Sequence, residues 1–544
     1  MIIRVRFSIY IKYIVVIFFM GYTGCFQPDH MHFLTPDYQK ILETDIKDDV
    51  LINTNQQSMQ LPITDKKMAL SIEQSVMFAL HNNKSLHIQQ LQPEISGTFD
   101  QIERGVFDPE FFVNASFVNN REGEITNDTD HLNVTDQRDL KLSMGVRQSL
   151  PYGTKIEMAI EKDRSIEDND PDTHKARIGL GITQSLLKGY GLSVNLANIK
   201  MAELDTVVSE YELCEFTQTL VANTEIAYWE YVLAKQKTKI CKESLSIAKK
   251  QRNEIEQQIA IGILPTNEAA AARAEVALRE QALIEANSNL ENKRLNLLKR
   301  ITTDPDSQFD TTITPTSKPD LKPVPVTDLI DRIKLAEKLR PDLNEARLRL
   351  KQKRLKTIVT RNGILPKLDL FIFMGHSGYA ESFSDAFRNI DDSTYDISVG
   401  MEFSHLFGNR AANSKYYGAQ LKKKQALEAI SNLEKIVHFD VRSAVNELEH
   451  ARKQISATRI TLIYQKQAAK AEKDRLSVGA STSLMVSQAY RDLLAAQNAK
   501  IEAAIKYRIA LIKLYVAEGS LLERRGLSLF YPVERIMKAQ PVTN

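Results

Sequence analysis

The sequence predicts a mainly α-helical fold that also contains a transmembrane β-barrel portion, built from two copies of one helix–strand–strand–helix unit. Three observations lead to this prediction. Residues 192–261 contain neither glycine nor proline, the same landmark residues recur in both halves of the chain, and several short segments alternate apolar and polar side chains. These patterns predict very long helices, an internal duplication and β-strands, respectively.

Composition and motifs exclude several classes of function. The 544 residues include 71 Lys and Arg and 69 Asp and Glu, for a net charge of +2, and their interspersion is typical of a solvated helical surface or the wall of an aqueous duct. The sequence has no His-Glu-x-x-His or paired-cysteine metal motif, and Gly179-Leu-Gly181 lacks the third glycine of a dinucleotide-binding loop. We therefore predict that the protein is not an enzyme and uses no cofactor or metal.

The N-terminus has the layout of an export signal. Basic residues precede an apolar run that ends at Met20, and Cys25 follows a glycine, so we predict a signal peptide over residues 1–25. The segment is similar to a bacterial lipoprotein signal, which implies lipidation of Cys25. Because Tyr22 stands where leucine is usual, cleavage at a nearby site and an uncleaved anchor stay open as alternatives. Residues 26–67 are polar and are predicted to form a tether.

The other two cysteines are predicted to be free packing residues. Cys214 and Cys241 lie 27 residues apart in one helical stretch. At a rise of 1.5 Å per residue this separation corresponds to about 40 Å. A disulfide cannot span that distance within one chain.

The duplication is visible in the spacing of landmark residues. An offset of 257 relates Ala79, Leu86, Arg104 and Pro109 to Ala336, Leu343, Arg361 and Pro366, and an offset of 219 relates Gly181, Ser185, Leu187 and Gly189 to Gly400, Ser404, Leu406 and Gly408. The first copy therefore holds 38 more residues between these two sets than the second copy does. Two alternating segments around Leu150-Pro-Tyr-Gly153 occupy the insertion and predict an extra β-hairpin.

Each copy has strands with one apolar face. We predict strands at residues 110–118, 140–149, 154–162 and 176–186 in the first copy, and at 367–374 and 395–404 in the second. Their length suits a tilted membrane strand with one face toward lipid and the other toward a lumen, although a half-buried strand of a soluble protein alternates in the same way. Export favours the membrane alternative, as do the polar segments 119–139, 162–175 and 375–394, which are predicted to be extracellular loops.

Long antiparallel helical hairpins account for most of the remaining chain. We predict helices at residues 192–261 and 267–304 in the first copy, and at 409–478 and 483–518 in the second. Apolar residues recur every seven positions from Val441 and lie beside a row of small side chains. This pattern allows tight packing on more than one side and predicts an α-barrel, with a two-stranded coiled coil as the alternative.

The predicted domain order follows from these boundaries. Residues 68–310 form the first repeat, 311–326 a proline-rich linker, 327–526 the second repeat, and 527–544 a C-terminal tail. The linker carries no recognisable chemistry.

Several short motifs are loose individually but specific in their order and spacing. They are Leu70-Ser-Ile-Glu-Gln-Ser-Val-Met-Phe-Ala-Leu80 with Asn82-Asn83, Ala227-Tyr228-Trp229, Arg340-Pro341-Asp342-Leu343, and the tip glycines Gly262 and Gly479, the second preceded by Arg475-Leu-Ser-Val. Across residues 70–526 the chain therefore resembles the TolC-like outer-membrane efflux proteins.

The resemblance implies a homotrimer whose strands close into one shared β-barrel in outer-membrane lipid and whose helices form a periplasmic α-barrel. It also implies that the hairpin tips dock onto a periplasmic adaptor protein joined to an inner-membrane transporter. The usual four strands per subunit give a barrel of twelve, whereas the extra hairpin predicts six per subunit and a wider barrel of eighteen. The tip residues expected at the adaptor are Gly262, Ile263, Leu264, Arg475, Gly479, Ala480 and Ser481.

The tunnel mouth departs from the pattern that the resemblance implies. Glu268 matches the family's carboxylate after the first tip glycine, but Ser481 stands in the place of its basic partner. The acidic positions that line the mouth in well-studied relatives fall on Met485 and Gln488. We therefore predict a mouth held by apolar and neutral contacts, with weak cation selectivity.

We predict an outer-membrane channel subunit that gives substrates from the inner-membrane transporter an exit duct to the exterior. The alternative is a periplasmic coiled-coil scaffold or lipoprotein spacer without a pore, which would have the helices but no membrane strands. A channel of a secretion system, rather than of an efflux system, also fits the sequence.

Overall fold

A computed structural model describes residues 67–125, 132–167, 173–266, 268–302, 310–319, 328–390 and 394–527. The predicted signal peptide with Cys25, the tether before residue 67 and the tail after residue 527 lie outside the described residues. The chain divides into two compact units. Residues 100–200 and 355–420 belong to unit 1, and the other described residues belong to unit 2.

Six strands form one antiparallel sheet in unit 1. The strands of the described residues are β1 (Lys67–Leu70), β2 (Glu110–Ile125), β3 (Leu132–Ser149), β4 (Thr154–Glu167), β5 (Thr173–Ser185), β6 (Thr312–Pro315), β7 (Lys367–Ala380) and β8 (Tyr395–Ser404). The sheet has the order β2-β3-β4-β5-β7-β8. β3 and β4 confirm the predicted extra hairpin, which lies inside the sheet.

Five of these six strands differ from their predicted bounds. Most of the polar residues in the three segments predicted as loops are paired in β2 to β5 and β7, and only β8 has the predicted bounds of 395–404. The alternation of apolar and polar residues stops before the pairing does. Backbone N–H and C=O groups continue to pair where both faces of the strands are polar, because hairpin pairing does not depend on side-chain hydropathy.

Helices make up most of the remaining structure. They are α1 (Ile72–Asn82), α2 (Lys84–Arg104), α3 (Leu192–Asn195), α4 (Ala197–Ala260), α5 (Glu268–Ile301), α6 (Leu329–Leu339), α7 (Pro341–Asn362), α8 (Phe383–Arg388), α9 (Arg410–Ser477), α10 (Ser483–Ala517) and α11 (Leu521–Arg524). α4 and α9 contain 64 and 68 residues, so they are about 96 and 102 Å long at 1.5 Å per residue. Among the helices in the described residues, none has a stretch long and apolar enough to cross a bilayer.

The first long helix is interrupted near its start, where the sequence predicts a continuous helix from residue 192. The Asn195 side-chain amide donates to the carbonyl oxygens of Pro151 and Gly189, both at 2.9 Å. These bonds hold α3 against the β3–β4 turn, and α4 begins only at Ala197.

Each repeat opens with a pair of helices that the sequence patterns left unassigned. The Ser71 hydroxyl accepts the N–H of Gln74, and the Gln74 side chain accepts the N–H of Ser71, which is a capping box that starts α1. Four repeat landmarks on α1, α2, α6 and α7 are almost completely buried: Ala79, Leu86, Ala336 and Leu343. The offset of 257 therefore relates equivalent core positions.

One strand of a short parallel pair, β6, lies within residues 311–326, which are predicted to be a linker. β6 pairs with β1, and two tyrosines of α4 support the pair. The Tyr228 hydroxyl donates to the carbonyl of Leu70 at 3.1 Å, and the Tyr231 hydroxyl donates to that of Ile313 at 2.6 Å. Four residues give too short an alternation for a strand to be recognised from the sequence.

An ion pair is buried in the helical unit 2. Arg332 of α6 is 6% exposed, and Glu518, which follows α10, is 0% exposed. Nη1 of Arg332 donates to Oε1 of Glu518. The other carboxylate oxygen accepts hydrogen bonds from Ser520 at 3.1 Å and Arg524 at 3.4 Å. Burial of these charges is tolerated because each is paired and hydrogen-bonded.

Candidate functional site

The sheet of unit 1 has one apolar face and one polar face. Because successive side chains of a strand point to opposite faces, the pairing register assigns every residue to one of them. The apolar face carries an apolar band at alternate positions of residues 111–117, 140–146, 156–160, 176–182, 368–374 and 397–403. Its side chains are largely exposed on the edge strands of the isolated chain, with Phe111 at 67% and Met401 at 69%.

The apolar band crosses the sheet obliquely. A row of directly paired residues, here called a rung, crosses the sheet from residue 114 of β2 to Thr394, which precedes β8. Residue 114 is the centre of the apolar band on β2. On β8, however, the centre of the band is residue 400. The displacement of six residues is about 20 Å along a strand, over five strand spacings of about 24 Å in total. The band therefore makes an angle of about 40° with the rungs, which equals the strand tilt of a closed barrel.

The polar face contains the acidic residues of the sheet. Within residues 110–121, 137–166, 173–185, 367–380 and 395–404, the acidic side chains are Glu110, Asp139, Glu157, Glu161, Asp163, Asp369, Asp396 and Glu402, and the register places all eight on the polar face. Several pair with bases of neighbouring strands. Arg147 binds Glu110 at 2.8 Å, and Lys367 binds Glu402 at 2.9 Å. These pairs make the polar face suitable for contact with water.

Arg177 of β5 spans four strands on this polar face, from β4 across β7 to β8. Its guanidinium donates to Glu161 of β4 at 3.1 Å and to Asp396 of β8 at 2.7 Å. A Cβ at Gly179 or Gly375 would lie 2.8 or 2.9 Å from the guanidinium nitrogens. The two glycines therefore leave the space in which the arginine lies flat across the sheet.

The two helical tips in unit 2 share one backbone conformation. Gly262 and Gly479 have φ angles of +77° and +73°, in the left-handed region that glycine adopts without strain. In each tip the residue after the glycine, Ile263 or Ala480, donates its N–H at 2.9 Å to the carbonyl five residues earlier. This Schellman closure ends both long helices in the same way.

Apolar side chains are exposed at both tips. Of the residues predicted to dock, Ile263 and Ala480 are exposed, and Leu264 is half-buried. The most exposed apolar side chains are Ile261 at 70% and Val478 at 77%, which the sequence analysis missed. An apolar residue directly before a tip glycine was the signal that could have identified both.

Polar contacts join residues at the base of the tips. The Ser483 hydroxyl donates to Glu268, and the Ser481 hydroxyl donates to Glu472. Glu268 therefore has a neutral partner that lies two residues beyond the predicted position, Ser481. Arg475 is exposed and lies 3.4 Å from Glu472.

Charged residues become buried two helical turns beyond the tips. Glu275 and Arg279 of α5 are buried, with Nη2 of the arginine 2.5 Å from Oε1 of the glutamate, and Arg491 of α10 lies 3.5 Å from the same carboxylate. Met485 and Gln488, predicted at the mouth, are exposed on α10 between this cluster and the tip. The described residues contain no group of three or more His, Cys, Asp or Glu that could hold a metal ion.

A groove of about 360 Å³ in unit 2 contains an acid with a raised pKa. Partial desolvation in the groove raises the pKa of Glu215, although its side chain is still exposed to solvent, and the nearby carboxylates Asp342 and Glu345 raise the pKa further. The folded state therefore binds the Glu215 proton more tightly than the unfolded state does, and stability falls as the pH rises above the ordinary glutamate range.

Glu215→Gln is expected to remove this loss of stability. The variant and the wild type should have similar thermal midpoints at pH 4, where both side chains are neutral, and the variant should become relatively more stable as the pH rises to 7. Thermal melting followed by circular dichroism checks the prediction. Glu428→Gln, an exposed change on α9, is the control, and an equal pH trend in that variant would contradict the assignment.

The two described cysteines are free, as predicted. Burial raises the pKa of the Cys214 thiol to about 11 and also raises the pKa of Cys241. Thiolate is the reactive form, so both side chains are packing residues at neutral pH.

Comparison with known proteins agrees with this architecture. Residues 332–520 match the family model described as "Outer membrane efflux protein". No curated protein sequence matches the chain significantly.

Solved structures of bacterial channels share the fold. The CmeC outer membrane channel of Campylobacter jejuni is 18% identical, with 86% of this chain and 88% of that chain covered and a TM-score of 0.62. The outer membrane protein VceC of Vibrio cholerae is 15% identical, with coverage of 82% and 96% and a TM-score of 0.60. The open state of the Neisseria gonorrhoeae MtrE outer membrane channel is 18% identical, with coverage of 83% and 89% and a TM-score of 0.56.

The TM-scores and coverages establish a common fold, and the family model matches most of the second repeat. The long helices and the antiparallel sheet agree with the solved channel structures, and the family model covers β7, β8 and the second tip. The chain therefore has the fold of solved outer-membrane channels, and its residues 332–520 are similar to the outer membrane efflux proteins.

Proposed function

We propose that the chain is the protomer of a homotrimeric outer-membrane channel through which substrates leave the periplasm. The observation that carries the proposal is the oblique apolar band. When strands tilt by about 40° around a barrel axis, such a band becomes a level belt that contacts lipid, while the paired charges of the other face line an aqueous lumen. A soluble sheet needs no such displacement from strand to strand.

The edge strands support oligomerisation of the sheet. β2 and β8 each pair on one side only within the described sheet, and an open edge invites pairing with another copy. Pairing β8 of one protomer with β2 of the next gives eighteen strands in a trimer. With a strand spacing of 4.8 Å and a tilt of 40°, the barrel is about 36 Å wide between backbones, against about 24 Å for twelve strands.

Cysteine cross-linking tests the closed trimer. Continuing the apolar band from β2 to the next protomer places Ala115 opposite Val399 or Met401. In a chain lacking its other cysteines, Ala115→Cys with Val399→Cys, or with Met401→Cys, should give a covalent trimer on a denaturing gel. Ala115→Cys with Ile178→Cys of the central strand β5 is the matched control. Cross-linking of the control alone, or of neither edge pair, would contradict the closed barrel.

Fractionation separates the channel from a periplasmic scaffold. We expect the protein in the outer membrane as a heat-sensitive oligomer that resists a salt wash. Release by salt would favour the scaffold without a pore, because apolar contact with lipid is insensitive to ionic strength.

The exposed tips support docking to a periplasmic adaptor joined to an inner-membrane transporter. Ile261, Ile263 and Val478 are apolar side chains that contact solvent in the isolated chain, and such residues are typical of a protein interface. Ile263→Asp with Val478→Asp should abolish co-purification with the adaptor encoded beside this protein. Exposed Ile284→Asp, farther along α5, serves as the control, and an equal loss in that variant would point to another docking surface.

The neutral contacts at the mouth support weak cation selectivity. Glu268 is paired with Ser483, and Met485 and Gln488 add no charge. In planar bilayers with a salt gradient, we expect a reversal potential close to zero. Met485→Asp should move it toward the cation potential, because three added carboxylates would surround the axis of a trimer. Strong cation selectivity of the wild type would contradict this arrangement.

A further inference from the structure

The two faces of the sheet differ in charge beyond the apolar band, at the strand ends away from the long helices. Four basic residues lie on the apolar-face positions there: Arg121, Arg138, Lys162 and Arg164. Within the strand ranges that define the eight acids above, this face carries no acidic side chain. Bases and acids alternate on the opposite face, as with Lys141 beside Asp163. Arg121 pairs with Asp136 in the register, so the excess positive charge on the face that continues the apolar band comes from Arg138, Lys162 and Arg164.

Three of these bases lie close together in the middle of the sheet. Lys162 and Arg164 are neighbours on one face of β4, about 7 Å apart along the strand. Arg138 of β3 pairs with Ile166, so it is a diagonal neighbour of Arg164 at about 7–8 Å. None of the three lies on β2 or β8, so edge pairing between protomers leaves them accessible.

A short helix adds aromatic side chains to the same surface. α8 packs on β5 and β7, where a Cβ at Gly378 would overlap the carbonyl oxygen of Ala386. Gly378 is an apolar-face position, level with the fully buried Ala176. The Lys162 ammonium lies 4.6 Å from the centroid of the Phe383 ring, and Phe387 is exposed. Aromatic rings beside cations are typical of the boundary between hydrocarbon and headgroups.

We propose that this basic rim, formed by Arg138, Lys162 and Arg164 beside α8, binds the phosphate groups of an anionic lipid of the outer membrane. The inference rests on the proposed function, because the rim meets lipid only if the sheet spans a membrane. Guanidinium groups match phosphate oxygens in geometry and charge. The adjoining apolar band and the phenylalanines of α8 favour an amphiphile over free phosphate, since they provide a surface for acyl chains.

Lipid binding to the full-length trimer in non-ionic detergent tests the rim. The probes are diphosphorylated lipid A, the same lipid after dephosphorylation, and inorganic phosphate, with bound lipid measured by native mass spectrometry. The wild type should prefer the phosphorylated lipid, and millimolar inorganic phosphate should not displace it. Lys162→Gln with Arg164→Gln should weaken binding roughly thirtyfold. Each cation near an anionic lipid surface contributes about 1 kcal/mol to binding, and the loss of two cations corresponds to this change in affinity.

The matched control removes the same charge from the other face. Lys141 of β3 and Lys175 of β5 lie on the polar face, on either side of β4. The double variant Lys141→Gln with Lys175→Gln should change lipid affinity less than twofold. Equal losses in both double variants, equal binding of the two lipids, or displacement by inorganic phosphate would overturn the inference. If the rim variant fails to assemble, the wild type alone tests the inference, because its binding of phosphorylated and dephosphorylated lipid A can still be compared.

Fractionation keeps the two proposals distinguishable. An inserted, heat-sensitive trimer without preference for the phosphorylated lipid overturns the lipid site alone. A protein released from the membrane by salt overturns the channel and the lipid site together.

Discussion

Met144→Lys is expected to destabilise the membrane-inserted sheet by about 2–4 kcal/mol per protomer, the cost of a lysine near the middle of a lipid-facing strand. Met144 lies on the apolar face of β3, a strand that is paired on both sides within the sheet. The loss should abolish the heat-sensitive trimer, because three lysines enter each barrel. Unfolding by urea in lipid vesicles measures the change.

Ser143→Lys is the control for this prediction. Ser143 precedes Met144 on the same strand but belongs to the polar face, opposite Glu161. Its lysine would contact water and a carboxylate, so we expect a change within about 0.5 kcal/mol. Equal destabilisation by the two lysines would mean that the apolar face does not contact lipid.

Glu518→Ala is expected to cost about 3–5 kcal/mol, because it leaves Arg332 buried without its carboxylate. The arginine is 6% exposed and cannot regain water without opening the contact between α6 and the residues after α10. The expected loss is a large fraction of the stability of an ordinary domain. Denaturant unfolding followed by helical circular dichroism measures it.

Two further variants separate the charge effect from a packing effect. Glu523→Ala removes an exposed carboxylate five residues later and should be nearly neutral. Arg332→Met with Glu518→Leu replaces both charges by apolar groups and should recover most of the loss. A double variant as unstable as Glu518→Ala would show that shape, rather than the unpaired charge, causes the effect.

The sheet shows how far side-chain alternation can be followed in a sequence. The positions of all six strands and the extra hairpin could be predicted, because lipid-facing and water-facing residues alternate there. The ends of five strands could not be predicted. Beyond the apolar band both faces of the strands contact water, so the paired residues there do not alternate between apolar and polar. β6 was missed for a related reason: its backbone is satisfied by β1 and by Tyr231 from a distant helix.

The tips show a different limit. Glycine at residues 262 and 479 indicated where the helices end, because the left-handed closure needs it. The partner of Glu268 depended on helix rotation rather than on sequence position, so Ser483 fills a place that was assigned to Ser481.

The sequence by itself determined the duplication, the long helices, the strands and the glycine tips, because each depends on periodicity or backbone freedom within a few residues. Only the tertiary structure decided which residues share a rung of the sheet, and with it the oblique course of the apolar band and the basic rim above it. It also decided the buried pair of Arg332 and Glu518, which are 186 residues apart in the chain. Such relations depend on register and packing between distant segments, and local patterns carry no information about them.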